Sequence, residues 1–157
     1  FLYRKLYFIA KTPSNSYFIT FILLFYILLL CGIYLSPYEF ITDIDTIKQR
    51  IYHDVNWVPF KLHFTARSID SAVDIVREIL LFIPAGIITF YFFIAKNKEA
   101  HHNMLLTLAF IVLLAIFLEA SQLAVTGRYI DITDILISIV GGLSGYMFIR
   151  FLHSTIK

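Results

Sequence analysis

Residues 17–36 read YFITFILLFYILLLCGIYLS, twenty residues without a charged side chain. Because an α-helix rises about 1.5 Å per residue, this segment is long enough to cross the roughly 30 Å hydrocarbon core of a bilayer. A secretory signal peptide is the alternative, but the run exceeds an ordinary signal core and no convincing small-residue cleavage site follows it. We therefore interpret the segment as a transmembrane helix.

The composition of the whole chain also indicates a membrane protein. Of its 157 residues, 59% are hydrophobic and 15% are charged, whereas an ordinary soluble domain carries about 25% charged residues. A soluble protein of this composition would expose large apolar patches, which excludes a soluble enzyme, a disordered regulator and a nucleic-acid-binding protein. The net charge of +2 is too small to indicate a polyanionic partner. A single cysteine excludes an internal disulfide.

Three further apolar segments, residues 73–95, 104–125 and 132–152, predict helices of similar length. The chain is therefore predicted to be all-α, with four transmembrane helices in one domain over residues 1–157. We expect a kink at Pro84, which neighbouring helices can accommodate in a bilayer. The first residue is Phe rather than Met, so we expect a fragment of a longer chain or one that has lost its start.

The connection between the first two spans, residues 37–71, is too long for a tight turn and too aromatic for a solvated linker. Ile44, Ile47 and Ile51 recur at helical spacing among charged residues, which is typical of a short interfacial helix. We predict that this segment lies on the outer membrane surface. A loop that plugs the helix bundle is the alternative.

The positions of Lys and Arg predict the orientation, because positive charges near short loops are retained in the cytoplasm. With four alternating spans, seven of them share the side of the two termini. They are Arg4, Lys5, Lys11, Lys96, Lys98, Arg150 and Lys157. On the other side, positive charges are diluted over the long connection and balanced by acids. We therefore expect both termini in the cytoplasm.

Ionisable residues at the outer ends of the last three spans are the informative feature for function. Only fifteen uncharged residues, 104–118, precede Glu119, and fifteen more, 135–149, follow Asp134. Fifteen residues make about 22 Å of helix, so both carboxylates are drawn to the edge of the hydrocarbon core or into it. Charges at this depth are costly unless paired or hydrated, and they mark candidate functional sites.

Helical spacing groups these residues on inward faces. Glu119 shares a face with Gln122, and Asp131 with Asp134, with Arg128 in reach above them. From Asp134 the face continues through Ser138 and a small-residue surface where another helix can approach. The predicted ligand-binding residues are Asp74, Arg77, Glu78, Glu119, Gln122, Arg128, Asp131 and Asp134. Five acids against two bases imply that some carboxylates are protonated, hydrated or completed by a metal or an ammonium group.

Two blocks of sequence resemble the VanZ-like family of membrane proteins. One is residues 81–86, LFIPAG, and the other is the ordered series Glu119, Gln122, Arg128, Asp131 and Asp134, followed by the GGLSGY stretch at 141–146. Upstream, residues 56–60, NWVPF, are similar to the family's Asn-x-x-Pro-Phe entry. The resemblance extends over roughly residues 17–150. Glu78 and Ser138 stand where the family commonly has Asn, which keeps both positions polar and adds a carboxylate.

The resemblance implies a multi-pass protein of the bacterial cytoplasmic membrane, associated with resistance to teicoplanin-type glycopeptides and with envelope-targeted agents. It implies a process rather than a reaction. On the first hypothesis, an extracytoplasmic polar cavity binds a lipid-linked precursor or a glycopeptide-type amphiphile, contributing to antibiotic resistance or envelope homeostasis. The two arginines would pair with phosphate, and the carboxylates would accept bonds from sugar hydroxyls or ammonium groups.

Two alternatives remain open. One is a membrane-embedded enzyme acting on a polyprenyl phosphate or related lipid, with acids in acid/base work or holding Mg²⁺, although the sequence shows no Ser–His or Cys–His nucleophile pair. The other is a structural or assembly subunit, in which the same charges form a buried salt-bridge network. We predict membrane lipids as partners and no nucleic acid, leave an oligomer or a partner subunit open, and assign no metal site, no cofactor and no catalytic residue.

Overall fold

The computed structural model describes residues 13–61, 68–95 and 100–155. In this part of the chain there are five α-helices, which are α1 (Pro13–Tyr34), α2 (Ile44–His53), α3 (Ser68–Ala95), α4 (Ala100–Ser121) and α5 (Ile132–Thr155). The strands β1 (Val55–Asn56) and β2 (Ile130–Asp131) form a two-stranded parallel pair. Of the residues behind the orientation argument, Arg4, Lys5, Lys11, Lys96, Lys98 and Lys157 lie outside the described residues, as do residues 62–67 of the predicted interfacial segment.

Helices α1, α3, α4 and α5 are long and apolar enough to cross a membrane. Their candidate spans are Ser16–Tyr34, Ser71–Ala95, Asn103–Ala124 and Ile132–Thr155. This confirms the prediction of an all-helical protein with four spans, to which the structure adds a short strand pair. Helix α3 runs through Pro84 without interruption. A proline leaves a backbone carbonyl of its helix without the usual N–H partner, and neighbouring helices can help to satisfy such a group in a bilayer.

The four long helices pack around a core of completely buried side chains. Leu30 of α1, Phe82 of α3, and Ile111 and Leu118 of α4 form its centre. The hydroxyl of Tyr26 donates to the carbonyl oxygen of Leu81 at 2.5 Å and ties α1 to α3. Large apolar side chains cover the opposite face of α1, including Tyr17, Phe21, Phe25 and Leu28. An exposed apolar face of this length is what a lipid-facing helix requires.

Helices α3 and α5 form the most extensive helix–helix contact, and glycines allow it. A Cβ atom added to Gly141 would stand 2.7 Å from the carbonyl oxygen of Ile79. A Cβ on Gly145 would collide with the carbonyl of Ile83, and one on Gly86 with the carbonyl of Gly142. Small residues let backbones approach this closely. The predicted small-residue face of the last span is therefore an interface with α3.

Helix α2 begins at a well-formed N-cap. The carboxylate of Asp43 accepts hydrogen bonds from the backbone N–H of Thr46 at 2.9 Å and from its hydroxyl at 2.5 Å. These bonds stabilise the ionised form and hold the pKa of Asp43 below its ordinary value. None of the side chains of α2 is buried, so this helix does not plug the bundle. Its predicted place on the membrane surface stays a prediction.

Residues 37–61, here called the α2 segment, are fastened to the turn between α4 and α5. Val55 pairs with Ile130 and Asn56 with Asp131 in the strand pair. Earlier in the segment, the N–H of Ile41 donates to the carbonyl of Ala124 at 2.8 Å. We call the end of the bundle covered by these contacts the α2 end.

Arg50 is the side chain that joins the α2 segment to this turn. Its Nη1 donates to the carbonyls of Leu123 at 2.5 Å and Val125 at 2.9 Å, and its Nη2 donates to the carbonyl of Arg128. Its Nε lies 2.6 Å from Oδ2 of Asp54, and 11% of the side chain is exposed. A planar guanidinium can serve all these acceptors at once, which an ammonium cannot.

We expect Arg50→Gln to detach the α2 segment while leaving the four long helices assembled. Hydrogen bonds to a charged donor contribute about 1.5 to 3 kcal/mol each, so local opening becomes at least tenfold more frequent, about 1.4 kcal/mol. Hydrogen–deuterium exchange of residues 41–56 and 122–131 measures this. Lys48→Gln is the matched control, because Lys48 sits on the same helix in an exposed pair with Asp45 and such pairs contribute little. Equal exchange in the two variants would contradict the role of Arg50.

Candidate functional site

A cavity of about 340 Å³ opens at the α2 end, between α1, α3, α4 and the start of α5. All eight residues predicted from the sequence to bind a ligand line it. Ile33, Tyr34, Ser71, Leu81, Gly127 and Tyr129 complete the lining. The volume falls in the range of small-ligand sites, which is roughly 300 to 1,000 Å³. The eight predicted residues, which come from the last three predicted spans and from the turn before α5, thus meet in one place, as the inward-facing pattern predicted.

The floor of the cavity holds two buried carboxylates. Glu78 is 4% exposed and Glu119 is 2% exposed. Oε1 of Glu78 accepts hydrogen bonds from the hydroxyl of Ser138 at 2.8 Å and from the hydroxyl of Tyr34. These two donors come from α5 and α1, so Glu78 of α3 joins three helices at one oxygen atom.

Glu119 is less completely satisfied than Glu78. Its Oε1 accepts a long hydrogen bond of 3.4 Å from Nε2 of Gln122. Its Oε2 is buried and has no hydrogen-bond partner among the described residues. Asp134 also belongs to the lining of this cavity. The floor is therefore an acidic group of three carboxyls with one orphaned oxygen.

The basic residues of the cavity have other contacts. Nη1 of Arg77 lies 3.8 Å from Oδ1 of Asp74, and more than half of each side chain is exposed. Nε of Arg128 donates to the carbonyl of Ser36 at 2.9 Å, a contact with the end of α1 that the sequence did not suggest. Tyr129, which is 66% exposed, stands beside them. The pair of Asp74 and Arg77 forms the solvent-accessible rim of the site.

Asp131 corrects one expectation. The prediction that Asp131 shares a helical face with Asp134 is wrong, because α5 begins at Ile132 and Asp131 belongs to β2. Oδ1 of Asp131 accepts from the backbone N–H of Thr133 at 2.8 Å, and Oδ2 accepts from Nδ2 of Asn56 at 3.0 Å. A side chain that precedes a helix and accepts a hydrogen bond from an N–H of its first turn is an N-cap and marks where the helix begins. Asp131 therefore caps α5 and links it to the α2 segment.

Gln122 also lies just outside a helix. Helix α4 ends at Ser121, and Gln122 opens a short 3₁₀ turn that runs to Ala124. The expected common face of Glu119 and Gln122 is therefore formed across the end of α4 rather than within it. The tighter 3₁₀ turn still brings residues three apart into line. The amide of Gln122 consequently reaches Glu119, and both side chains line the cavity.

The buried carboxylates are held by neutral groups rather than by cations. In the described ranges, no salt bridge reaches Glu78 or Glu119, and the ion pairs Lys48–Asp45, Arg50–Asp54 and Arg77–Asp74 involve other carboxylates. The first two lie outside the cavity lining and the third is exposed. Across the same ranges, no group of three or more His, Cys, Asp or Glu residues is placed to hold a metal ion.

Two contributors to the site were missed from the sequence. Tyr34 resembles any interfacial tyrosine at the end of a span, and its bond to Glu78 joins residues 44 positions apart. Asn56 belongs to the NWVPF stretch, which signalled a family pattern but not a contact with Asp131. Both contacts join segments that are far apart in the sequence, so no local pattern in the sequence could reveal them.

The comparisons with known proteins bear on this arrangement. No curated protein and no solved structure matches the chain. A family model described as VanZ/LLP1 matches residues 21–153, which include most of each described helix that could span a membrane and every residue of the cavity lining. This confirms the resemblance inferred from the LFIPAG block and the ordered acidic series, and the chain belongs to the VanZ/LLP1 family.

Proposed function

We propose that the cavity binds the polar part of an amphiphile at the extracytoplasmic face of the bacterial cytoplasmic membrane, with both termini of the chain in the cytoplasm. The ligand class is a lipid-linked cell-wall precursor or a glycopeptide-type amphiphile. Family membership suggests a link with glycopeptide resistance. The protein would contribute to resistance or to envelope homeostasis by holding such a molecule in place.

One observation carries this proposal, the orphaned oxygen of Glu119 in an open cavity. Buried polar atoms nearly always have a hydrogen-bond partner, and an exception needs a reason. Oε2 of Glu119 is buried without a partner among the described residues, and the Glu119 residue lines a cavity large enough for a small polar group. A ligand that donates a hydrogen bond there would satisfy it. The position of Glu119 at the end of a fifteen-residue uncharged run supports a site at headgroup depth.

The two alternatives have less support. A buried salt-bridge network requires cations beside the buried acids, whereas the described partners of Glu78 are two hydroxyl groups. An enzyme that uses Mg²⁺ against a diphosphate could hold the ion with one or two carboxylates and the substrate's own phosphates, but the described residues hold no group of three that would bind a metal without the substrate. Acid/base chemistry at Glu119 would also need a substrate in the cavity, so the enzyme hypothesis and the binding hypothesis both require that the cavity binds a ligand.

Native mass spectrometry of protein extracted from its own membrane tests the proposal. We expect the wild type to carry a lipid or saccharide adduct, and the double variant Glu119→Gln, Asp134→Asn to carry at least tenfold less of it, a loss of about 1.4 kcal/mol in binding free energy. Both substitutions keep the size of the side chain and remove its charge.

The matched control is Glu39→Gln, Asp45→Asn, which makes the same changes at exposed acids outside the cavity. It should keep the wild-type adduct. If wild type, cavity variant and control all carry the same adduct, the cavity is not its binding site. If none carries one under conditions that preserve lipid adducts on a reference membrane protein, the proposed function fails.

A further inference from the structure

We infer that the floor of the cavity binds an ammonium group of the ligand. This inference rests on the proposed function and specifies the chemical group that occupies the deepest part of the site. Its basis is the contrast between the floor, formed by Glu78, Glu119 and Asp134, and the rim, where Arg77 pairs with Asp74.

The distribution of charge is the first step. Glu78 and Glu119 are almost completely buried, and no described salt bridge neutralises either of them. Asp134 adds a third acidic group to the lining of the same cavity. A buried charge is costly unless it is paired. A positive group on the ligand would supply the pairing that Glu78 and Glu119 lack among the described residues, whereas a phosphate or carboxylate beside them would be repelled.

Hydrogen bonding is the second step. Oε1 of Glu78 already accepts two bonds, from Ser138 and Tyr34, whereas Oε2 of Glu119 accepts none from the described residues. A cation beside Glu119 would favour its ionised form, and because an ionised carboxylate only accepts, its free oxygen would then take a donor. An ammonium group carries three donors and no acceptor. It therefore matches the orphaned oxygen in both charge and hydrogen bonding.

The same geometry separates an ammonium group from a calcium ion. Calcium takes six to eight oxygen ligands, most of them from the protein. No group of three or more acidic or histidine ligands among the described residues is placed for such an ion. An ammonium group is satisfied by two or three acceptors at ordinary hydrogen-bond distances. Glu119 with one acidic neighbour is sufficient for it.

Two arms of one experiment distinguish the sources of such a group. In the first, the protein is placed in phosphatidylglycerol nanodiscs containing equal amounts of phosphatidylethanolamine and N-acetyl-phosphatidylethanolamine, and native mass spectrometry compares the two adducts. In the second, decylammonium or decanol is added to protein in phosphatidylglycerol nanodiscs, and the shift in unfolding temperature is measured, because a ligand that binds the folded state stabilises it.

We expect wild-type protein to prefer the amine over its neutral partner by about tenfold or more in at least one arm. A preference in the first arm assigns the group to a lipid headgroup, and a preference in the second arm alone assigns it to a free amphiphile. Glu119→Gln should abolish the preference, Glu119→Asp should retain part of it, and the exposed control Glu39→Gln should leave it unchanged.

The failures of the two proposals differ. If adducts form and depend on the cavity residues, but amines and neutral partners bind equally, the ammonium inference is overturned and the cavity remains a binding site. If Glu119→Gln keeps the full amine preference, the floor is not its origin and the inference is again overturned. If no adduct or stabilisation occurs in either arm, and none occurs with protein from its own membrane, both proposals fall. Asp134→Asn provides a second neutralising variant should Glu119→Gln assemble poorly.

Discussion

Gly145→Ala and Gly86→Ala are each expected to lower the free energy of unfolding by about 3 kcal/mol, the upper part of the range for overpacking a close-packed interior. A Cβ on Gly145 would overlap the carbonyl of Ile83, and one on Gly86 would overlap the carbonyl of Gly142. Both obstacles are backbone atoms, which cannot rotate away as a flexible side chain can. Helices α3 and α5 would have to separate. Denaturant or thermal unfolding of the purified protein in detergent measures the loss.

Gly32→Ala is the matched control for these variants. Gly32 lies in α1, and a Cβ there would meet the hydroxyl of Tyr38 at 3.6 Å, an ordinary contact. Alanine is favoured over glycine within a helix by about 0.5 to 1 kcal/mol, so this variant should be neutral or slightly stabilised. A loss in Gly32→Ala similar to that in the other two would mean that the close approach of α3 and α5 is not the cause.

The same helix contact sets the geometry of the cavity. Glu78 lies on α3 and Ser138 on α5, and their hydrogen bond of 2.8 Å spans the interface. Gly141, one turn after Ser138, packs against the backbone of Ile79, the neighbour of Glu78. Separation of the helices would therefore break this bond before it exposed the core. Partly assembled Gly86 or Gly145 variants should lose ligand adducts together with stability.

The sequence predicts most of the fold because its main determinant is local. Uninterrupted apolar runs locate the four long helices, and the periodic isoleucines of residues 44–51 locate α2. The small-residue face from Ser138 to Gly145 predicts an interface, although the partner, α3, is known only from the structure. Contacts between residues that are far apart in the sequence leave no such local pattern. The bonds of Arg50 to the carbonyls after α4 and the strand pairing of Asn56 with Asp131 belong to this class.

The candidate site was predictable as a set of residues but not as a network. The short uncharged runs beside Glu119 and Asp134 predicted that both lie at the edge of the hydrocarbon core, and helical spacing added their neighbours to the site. The structure then separates their roles. Asp131 caps α5 and contacts Asn56, Glu78 is held by two hydroxyl groups, and Glu119 retains a free oxygen. Nε of Arg128 donates to the carbonyl of Ser36, a contact that the spacing of the acidic series did not suggest. Spacing alone could not distinguish these arrangements, because each depends on a residue from another helix.

Glu119→Met is expected to raise the free energy of unfolding by about 1 to 3 kcal/mol and to abolish the adduct. A buried polar atom without a partner destabilises a fold by about that amount, and replacement of a poorly compensated buried charge by an apolar side chain is often stabilising. Functional sites commonly contain such destabilising groups. Chemical or thermal unfolding measures stability, and native mass spectrometry measures binding on the same sample.

Glu78→Met should shift stability in the opposite direction. This substitution removes the acceptor shared by Tyr34 and Ser138, so two buried hydroxyl groups lose a partner and the fold is destabilised by about 1 to 3 kcal/mol. Glu39→Met, the same change at an exposed acid, should have an effect within about 0.5 kcal/mol. If the acids served only as a structural network, both cavity variants would be destabilised. A gain at Glu119 with a loss at Glu78 would separate the residue reserved for the ligand from the residue that holds the helices together.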